Sequence, residues 1–401
     1  MARILLPGTL DTKGEEYAFI RELLRARGHE PIVMDLGILE EPAFTPDISA
    51  AHVAKEGGGS LDELRARKDR GTAVDVMLAG ARRLTRDLYK AQQFDGVLGL
   101  GGGGGTTMIT ALMRELPVGV PKVMVSTMAS GNTSPYVDVK DITMMYSVVD
   151  IAGLNPLARR VLANAAGAIC GMLEQELPNV SGARPLIAAT MFGVTTPCVT
   201  AARKRLEDAG FDVLVFHATG SGGRAMEGLI SDGYFAGVLD VTTTEWCDEI
   251  VGGVLSAGPE RLTAAGLKGV PQVVSVGALD MVNFGAYETV PERFRSRTLY
   301  RHNATVTLMR TSEEECAKVG RMLAAQLNRA TGPVLLVLPL RGVSMLDAEG
   351  QPFHNPGANH ALFDALRSNV GPNVRVMELD MHINDPEFAR SLADELLALL
   401  A

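Results

Sequence analysis

Cysteine is scarce in this sequence. Only Cys170, Cys198, Cys247 and Cys316 occur among 401 residues, with no CxxC spacing, which argues against a disulfide framework and a cysteine-built zinc site. Long apolar runs are missing as well: no segment reaches the roughly 18 residues that a membrane span requires. Lys and Arg never cluster beyond ordinary helix-surface density and the formal net charge is −9, so a nucleic-acid backbone would meet no basic face. His217, His302, His354, His360 and His382 lack the spacing of HExxH, and no metal site is expected. The opening Met-Ala-Arg-Ile-Leu-Leu-Pro-Gly is too short in its apolar part for a signal peptide. It reads as a first strand, which predicts a cytoplasmic protein.

Glycine, by contrast, is abundant, and Gly101 to Gly105 stand together between the apolar run Gly96–Leu100 and the helix-forming stretch that opens with Thr106 and Thr107. Each glycine costs about 0.5 to 1 kcal/mol relative to alanine in ordered structure. Five in a row make sense where the turn needs positive φ or bare amides facing a ligand. Strand, glycines and helix start together aim backbone N–H groups and a helix dipole at an anion, most often a phosphate. Two better-known phosphate motifs are excluded. Gly105 is followed by Thr106 where a P-loop has Gly-Lys, and the GxGxxG match at Gly99, Gly101 and Gly104 comes several elements after the first strand, which disfavours a nicotinamide fingerprint.

Read in order, the chain repeats itself. Arg3 to Leu10, a helix stopped by Gly28, and Pro31 to Leu36 make a right-handed βαβ unit and hence a parallel sheet. The pattern is lost from Ile38 to about Gly71, an excursion of the kind that forms lids, interfaces or disordered segments. A helix over Ala73 to Gln92, the glycine-run strand, a strand from Pro121 to Thr127 and an Ala-rich helix from Pro156 to Leu177 follow. Leu186 to Phe192, a helix to Gly210 and Phe211 to Phe216 then mirror the opening. Phe235 to Thr242 aligns with Phe94 to Gly101, and Val270 to Val273 with Val120 to Val123. The pattern predicts an α/β protein of two Rossmann-like, doubly wound parallel-sheet domains related by internal repeat, residues 1–180 and 181–401, with a boundary near Asn179 to Arg184. Later elements are equally legible: a capping box of Ser312 and Glu315, a buried strand from Pro333 to Leu340, and a last helix with Asp385 as N-cap and Pro386 at its first position.

Ligands of doubly wound sheets bind beyond the carboxyl ends of the strands. In the first half that rim carries Gly8, Thr9, Asp11, Thr12 and Lys13, then Gly101, Gly102, Gly103, Gly104, Gly105 and Thr106, then Thr127, Ser130 and Gly131. These are the candidate nucleotide-binding residues, with Lys13 as a point charge for phosphate. In the second half, the loop from His217 to Arg224 is a second candidate anion site. His217, Arg224, Asp280 and Arg341 are candidate catalytic residues, and His217 with Asp280 a candidate acid–base pair.

Gly-Thr-Leu-Asp-Thr-Lys-Gly (8–14), Gly-Leu-Gly-Gly-Gly-Gly-Gly-Thr-Thr (99–107), Val-Ser-Thr-Met-Ala-Ser-Gly-Asn-Thr (125–133) and Ser-Val-Val-Asp-Ile-Ala-Gly-Leu-Asn (147–155) are four ordered motifs. Over essentially the whole chain, the sequence resembles the family of the ATP-binding amino-terminal domain of the tomato mosaic virus resistance protein and its stand-alone bacterial homologues. The resemblance implies two Rossmann-like halves, ATP binding in the first, and a homodimer. The plant member inhibits a viral replication protein, a target that a bacterial protein would hardly share. Gly103 stands where the family commonly has serine, which removes one hydroxyl from the expected phosphate contact. The reading expected is therefore a dimeric nucleotide-binding module whose ligand is ATP. Its alternative is a metabolic enzyme acting on a small phosphorylated or carboxylated substrate between the domains. An ATP-dependent transfer would join the two, with Asp11 or Asp138 holding Mg2+.

Overall fold

The computed structural model describes residues 1–67, 69–176 and 182–401. The chain divides into two compact units, Met1–Asn179 and Val180–Ala401. Leu177, the expected end of the Ala-rich helix, and part of the expected boundary from Asn179 to Arg184 lie outside the described residues.

The first unit is built on five strands, β1 (Arg3–Gly8), β2 (Glu30–Asp35), β3 (Gly96–Gly101), β4 (Lys122–Ser126) and β5 (Thr143–Tyr146). They are all parallel, in the order β2-β1-β3-β4-β5. Helices cover both faces, which is why β1, β3 and β4 read as near-continuous apolar runs. Strand β5, half-exposed at the sheet edge, was not legible as a strand because it lacks such a run.

The excursion after Ile38 is folded. Ile48 bridges to Met34, and helices Ala50–Glu56 and Leu61–Arg67 lead into helix Arg70–Lys90. That helix starts before Ala73 because the Asp69 carboxylate accepts from the amides of Gly71 and Thr72, an N-cap that satisfies two otherwise orphan donors. Gly57 and Gly80 let Ala50–Glu56 cross it at backbone contact: a Cβ on Gly80 would lie 1.9 Å from the Val53 carbonyl oxygen, and one on Gly57 2.0 Å from that of Val76.

Strand order reverses between β1 and β3, and there the two strands separate. They pair only at Ile4 with Gly96 and Leu5 with Val97. Above that point the ring of Tyr17, from helix Leu10–Ala26, fills the split. Its hydroxyl donates to the Pro7 carbonyl (2.5 Å) and accepts from the Leu100 amide (3.1 Å). Gly8 is required beside it, since a Cβ would lie 2.0 Å from the ring.

The second unit holds six parallel strands: β6 (Leu186–Met191), β7 (Asp212–His217), β8 (Gly237–Thr242) and β9 (Gln272–Gly277), and later β13 and β14. Between them an antiparallel sheet of β10 (Met281–Phe284), β11 (Leu299–Arg301) and β12 (Thr307–Arg310) intervenes, which the sequence pattern did not disclose. Strands β13 (Val334–Pro339) and β14 (Val374–Leu379) complete the order β14-β13-β9-β8-β6-β7. The first four strands of each unit thus share one order, and both units are Rossmann-like. The capping box of Ser312 and Glu315 and the helix start at Pro386 are present.

Here the split between β6 and β8 is closed by polar side chains. Thr190 donates to Asp240 (2.7 Å), and Thr195 and Thr242 share a hydrogen bond of 2.7 Å. Arg261, 1% exposed, bridges Asp240, Glu245 and Glu227. Two further carboxylates are buried nearby in the fold. Desolvation pushes Asp248 up to about 7, and desolvation with repulsion from Asp347 raises Asp280.

Two expectations follow. Tyr17→Phe leaves the Pro7 carbonyl and Leu100 amide without their shared partner, and is expected to cost about 1 to 3 kcal/mol, read as a lower urea midpoint by circular dichroism. Asp248 and Asp280 hold protons more tightly folded than unfolded, so their stabilising contribution is present below the unfolded pKa near 4 and lost as pH rises through about 7. The urea midpoint reported by the lone tryptophan, Trp246 in the core of this unit, should fall between about pH 5.5 and about pH 8, and Asp280→Asn should flatten that slope.

Candidate functional site

Where neighbouring strands lead their connections to opposite faces, a crevice opens above the sheet. In the first unit it is a cavity of about 490 Å³, within the range of small-ligand sites. Its polar part is lined by Thr9, Asp11, Thr12 and Lys13 after β1 and by Gly102, Gly103, Gly104 and Gly105 after β3. Leu36, Ile38, Leu39, Val74, Met77 and Met108 supply an apolar part, and Arg70 and Thr107 complete the wall.

The glycine run does not have the conformation that glycine uniquely allows: none of Gly101 to Gly105 has positive φ. Packing explains Gly101, where a Cβ would lie 2.9 Å from the Gly105 Cα. It does not explain the next four. A Cβ on Gly103 would meet only the Met128 sulfur at 3.9 Å, and one on Gly104 only the Arg70 guanidinium at 3.8 Å. Gly103 to Gly105 are the first turn of helix Gly103–Met113, which has no side-chain cap. No described residue accepts from their amides; the first intrahelical bond is from Thr106 to the Gly102 carbonyl, at 2.8 Å. Three donors therefore face the cavity unsatisfied by protein.

Of the other expected ligands, Lys13 lines the cavity, but its ammonium donates to the Ile151 carbonyl. Lys13 keeps two ammonium donors beyond the one that this neutral carbonyl takes. Its φ of −134° breaks the helix, so residues 10–12 form a separate turn against the cavity. Arg70, exposed at the start of its helix, makes no ion pair with any described residue and is the cation beside Gly104. Sequence reasoning missed it, although the N-cap signature Asp69-x-x-Thr72 marks that helix start. Asp11 accepts from the Leu39 amide (2.9 Å) through one oxygen, while Oδ1 is buried without a partner.

The remaining expected residues stand off the wall. Gly8 lies against Tyr17. Thr106 is buried and bonded to Ser126 (2.7 Å). Thr127, Ser130 and Gly131 follow β4, one strand further along, with the Thr127 hydroxyl 3.8 Å from where a Cβ on Gly102 would lie, and Asp138 is exposed beyond them.

The second unit corrects two expectations. The loop from His217 to Arg224 is already filled: Glu245 accepts from the amides of Gly220 (2.7 Å) and Gly223 (3.1 Å), so the anion at this helix start is the protein's own. His217 and Asp280 do not form a pair. His217 is exposed at the end of edge strand β7, and Asp280 follows β9, three strands away, about 14 Å at 4.8 Å per strand. Asp280 is fully buried and accepts from Ser344 (2.7 Å). Arg341, after β13, is exposed and paired with Asp380 (2.6 Å), and Arg224 donates to the Ser256 carbonyl (3.2 Å). The four do not converge.

Among the described residues no helix is long and apolar enough to cross a membrane. Residues 2–178 match the family described as "Uncharacterised protein family (UPF0261) N-terminal domain", and residues 184–400 match its C-terminal domain. A UPF0261 protein of Clostridium tetani is 53% identical over 399 residues, covering 99% of both chains, and one of Rhizobium meliloti is 51% identical over 393, covering 98% of this chain and 97% of that one. The ToMV resistance protein Tm-1 of Solanum lycopersicum is 39% identical over 424 residues, covering 99% of this chain and 56% of the plant protein. With both halves matched and relatives aligned along nearly its whole length, the chain belongs to the UPF0261 family.

Proposed function

We propose that the amino-terminal unit is a nucleotide-binding module whose ligand is ATP, with the phosphates on the Gly102–Gly105 amides and Arg70, and the adenine against Leu36, Ile38, Val74 and Met77. One observation carries this reading. Gly102 to Gly105 are glycines that neither backbone conformation nor packing demands, and the space that their missing side chains leave is cavity. Backbone amides, a helix N-terminus and a guanidinium are the groups that hold phosphate oxygens. Binding rather than transfer is favoured by the walls, whose described residues include no histidine or cysteine and one carboxylate, that of Asp11, which accepts from the Leu39 amide.

Titration calorimetry with ATP tests this. Gly104→Ala should leave stability unchanged or raise it by up to about 1 kcal/mol while weakening ATP by about tenfold or more, whereas Gly101→Ala should destabilise the fold. Arg70→Ala removes a charge-assisted contact worth about 1.5 to 3 kcal/mol, and should weaken ATP strongly and adenosine little. Absence of heat with the unmodified protein, or a Gly104→Ala variant that binds normally, would count against the proposal.

A further inference from the structure

Ile38 and Leu39 face two cavities. They line the crevice of the proposed nucleotide site, and with Leu64, Arg65 and Ala73 they also line a second space of about 310 Å³ inside the folded excursion. A stretch with open space against two of its sides is not set in place by close packing, and Leu39 is 69% exposed. Its backbone is tied down instead. The Leu36 amide donates to the Gly8 carbonyl (2.8 Å), and the Leu39 amide to Asp11 (2.9 Å). On the carbonyl side one residue does the holding. Arg65, on helix Leu61–Arg67, donates from Nε to the Ile38 carbonyl (3.3 Å) and from Nη2 to that of Glu40 (2.8 Å). Its third contact, to Glu41 (2.8 Å), ends on a carboxylate that is 85% exposed and adds little.

Of the two described walls, Arg65 belongs only to the second. It reaches the crevice through the main chain of Ile38, whose side chain is part of the apolar end. Resting on the nucleotide reading above, we propose that Arg65 is a positioning residue for the base. By gripping the Ile38 and Glu40 carbonyls it fixes the Ile38 side chain where an adenine ring meets it, and without that grip the wall yields into the space behind.

A double-mutant cycle read by ATP calorimetry on the full chain tests this. Arg65→Met keeps an apolar stem and removes the donors. It should weaken ATP about fivefold or more, and Arg65→Lys, with one ammonium for two carbonyls, should fall between it and the unmodified protein. In an Ile38→Ala background, where the apolar contact is already gone, Arg65→Met should cost about twofold or less. In a Gly104→Ala background, at the phosphate end, it should cost as much as in the unmodified protein, since sites without shared partners add. Arg65→Lys carries the same comparisons should Arg65→Met not fold. ATP affinity unchanged by either substitution would overturn the inference and leave nucleotide binding intact. So would a loss as large with Ile38→Ala as without it, the mark of a general loosening. Failure of ATP to bind the unmodified protein would instead remove the nucleotide reading, and this inference with it.

Discussion

The parting of β1 from β3 is the constraint on which the first unit depends. Two parallel strands that send their helices to opposite faces cannot stay paired to their ends, and the peptide groups released there must find partners or water. Tyr17 supplies them from beneath, with one hydroxyl serving a carbonyl of one strand and an amide of the other. Burial, the largest influence on this phenol, pushes its pKa up, so it stays neutral as it does so. The space above the ring is left open.

The second unit has the same strand order and the opposite solution. Its split is crossed by Thr190, Asp240 and Thr242 and locked by Arg261. Three carboxylates converge on that one guanidinium, and losing one partner from such a cluster typically costs about 3 to 5 kcal/mol. Glu245 then occupies a helix start as a built-in anion. The two units therefore differ in whether the crevice is filled by the chain itself, a difference in a handful of side chains on a shared scaffold.

Much of this was legible in the sequence. The strands βαβ reasoning needs are apolar and short, and the repeat is visible because equivalent strands keep equivalent residues, as in Phe94-Asp95-Gly96-Val97 and Phe235-Ala236-Gly237-Val238. The glycine run and the Thr9–Lys13 turn were recognised for their chemistry, and both line the same cavity. Other features were hidden for physical reasons. The antiparallel sheet is made of strands of three or four residues, too short for period-two alternation to register. Arg70 lies far in sequence from the glycines, but the helix that it starts runs into β3, which sets that first turn at the carboxyl end of the sheet beside the glycine run. His217 and Asp280 looked compatible because loops at one end of a sheet share a rim. That rim is wide, and strand order separates them across it.

The folded excursion has one more consequence. Leu36, Ile38 and Leu39 precede its two short helices and Arg70, Val74 and Met77 follow them, so one wall of the cavity is a segment that leaves the sheet and returns. A molecule touching both this wall and the glycine amides would fasten the segment to the sheet. The tightness of that hold would have a ceiling set by how readily residues 36–77 open as a local cooperative unit, and occupancy would slow their amide hydrogen exchange in the same measure.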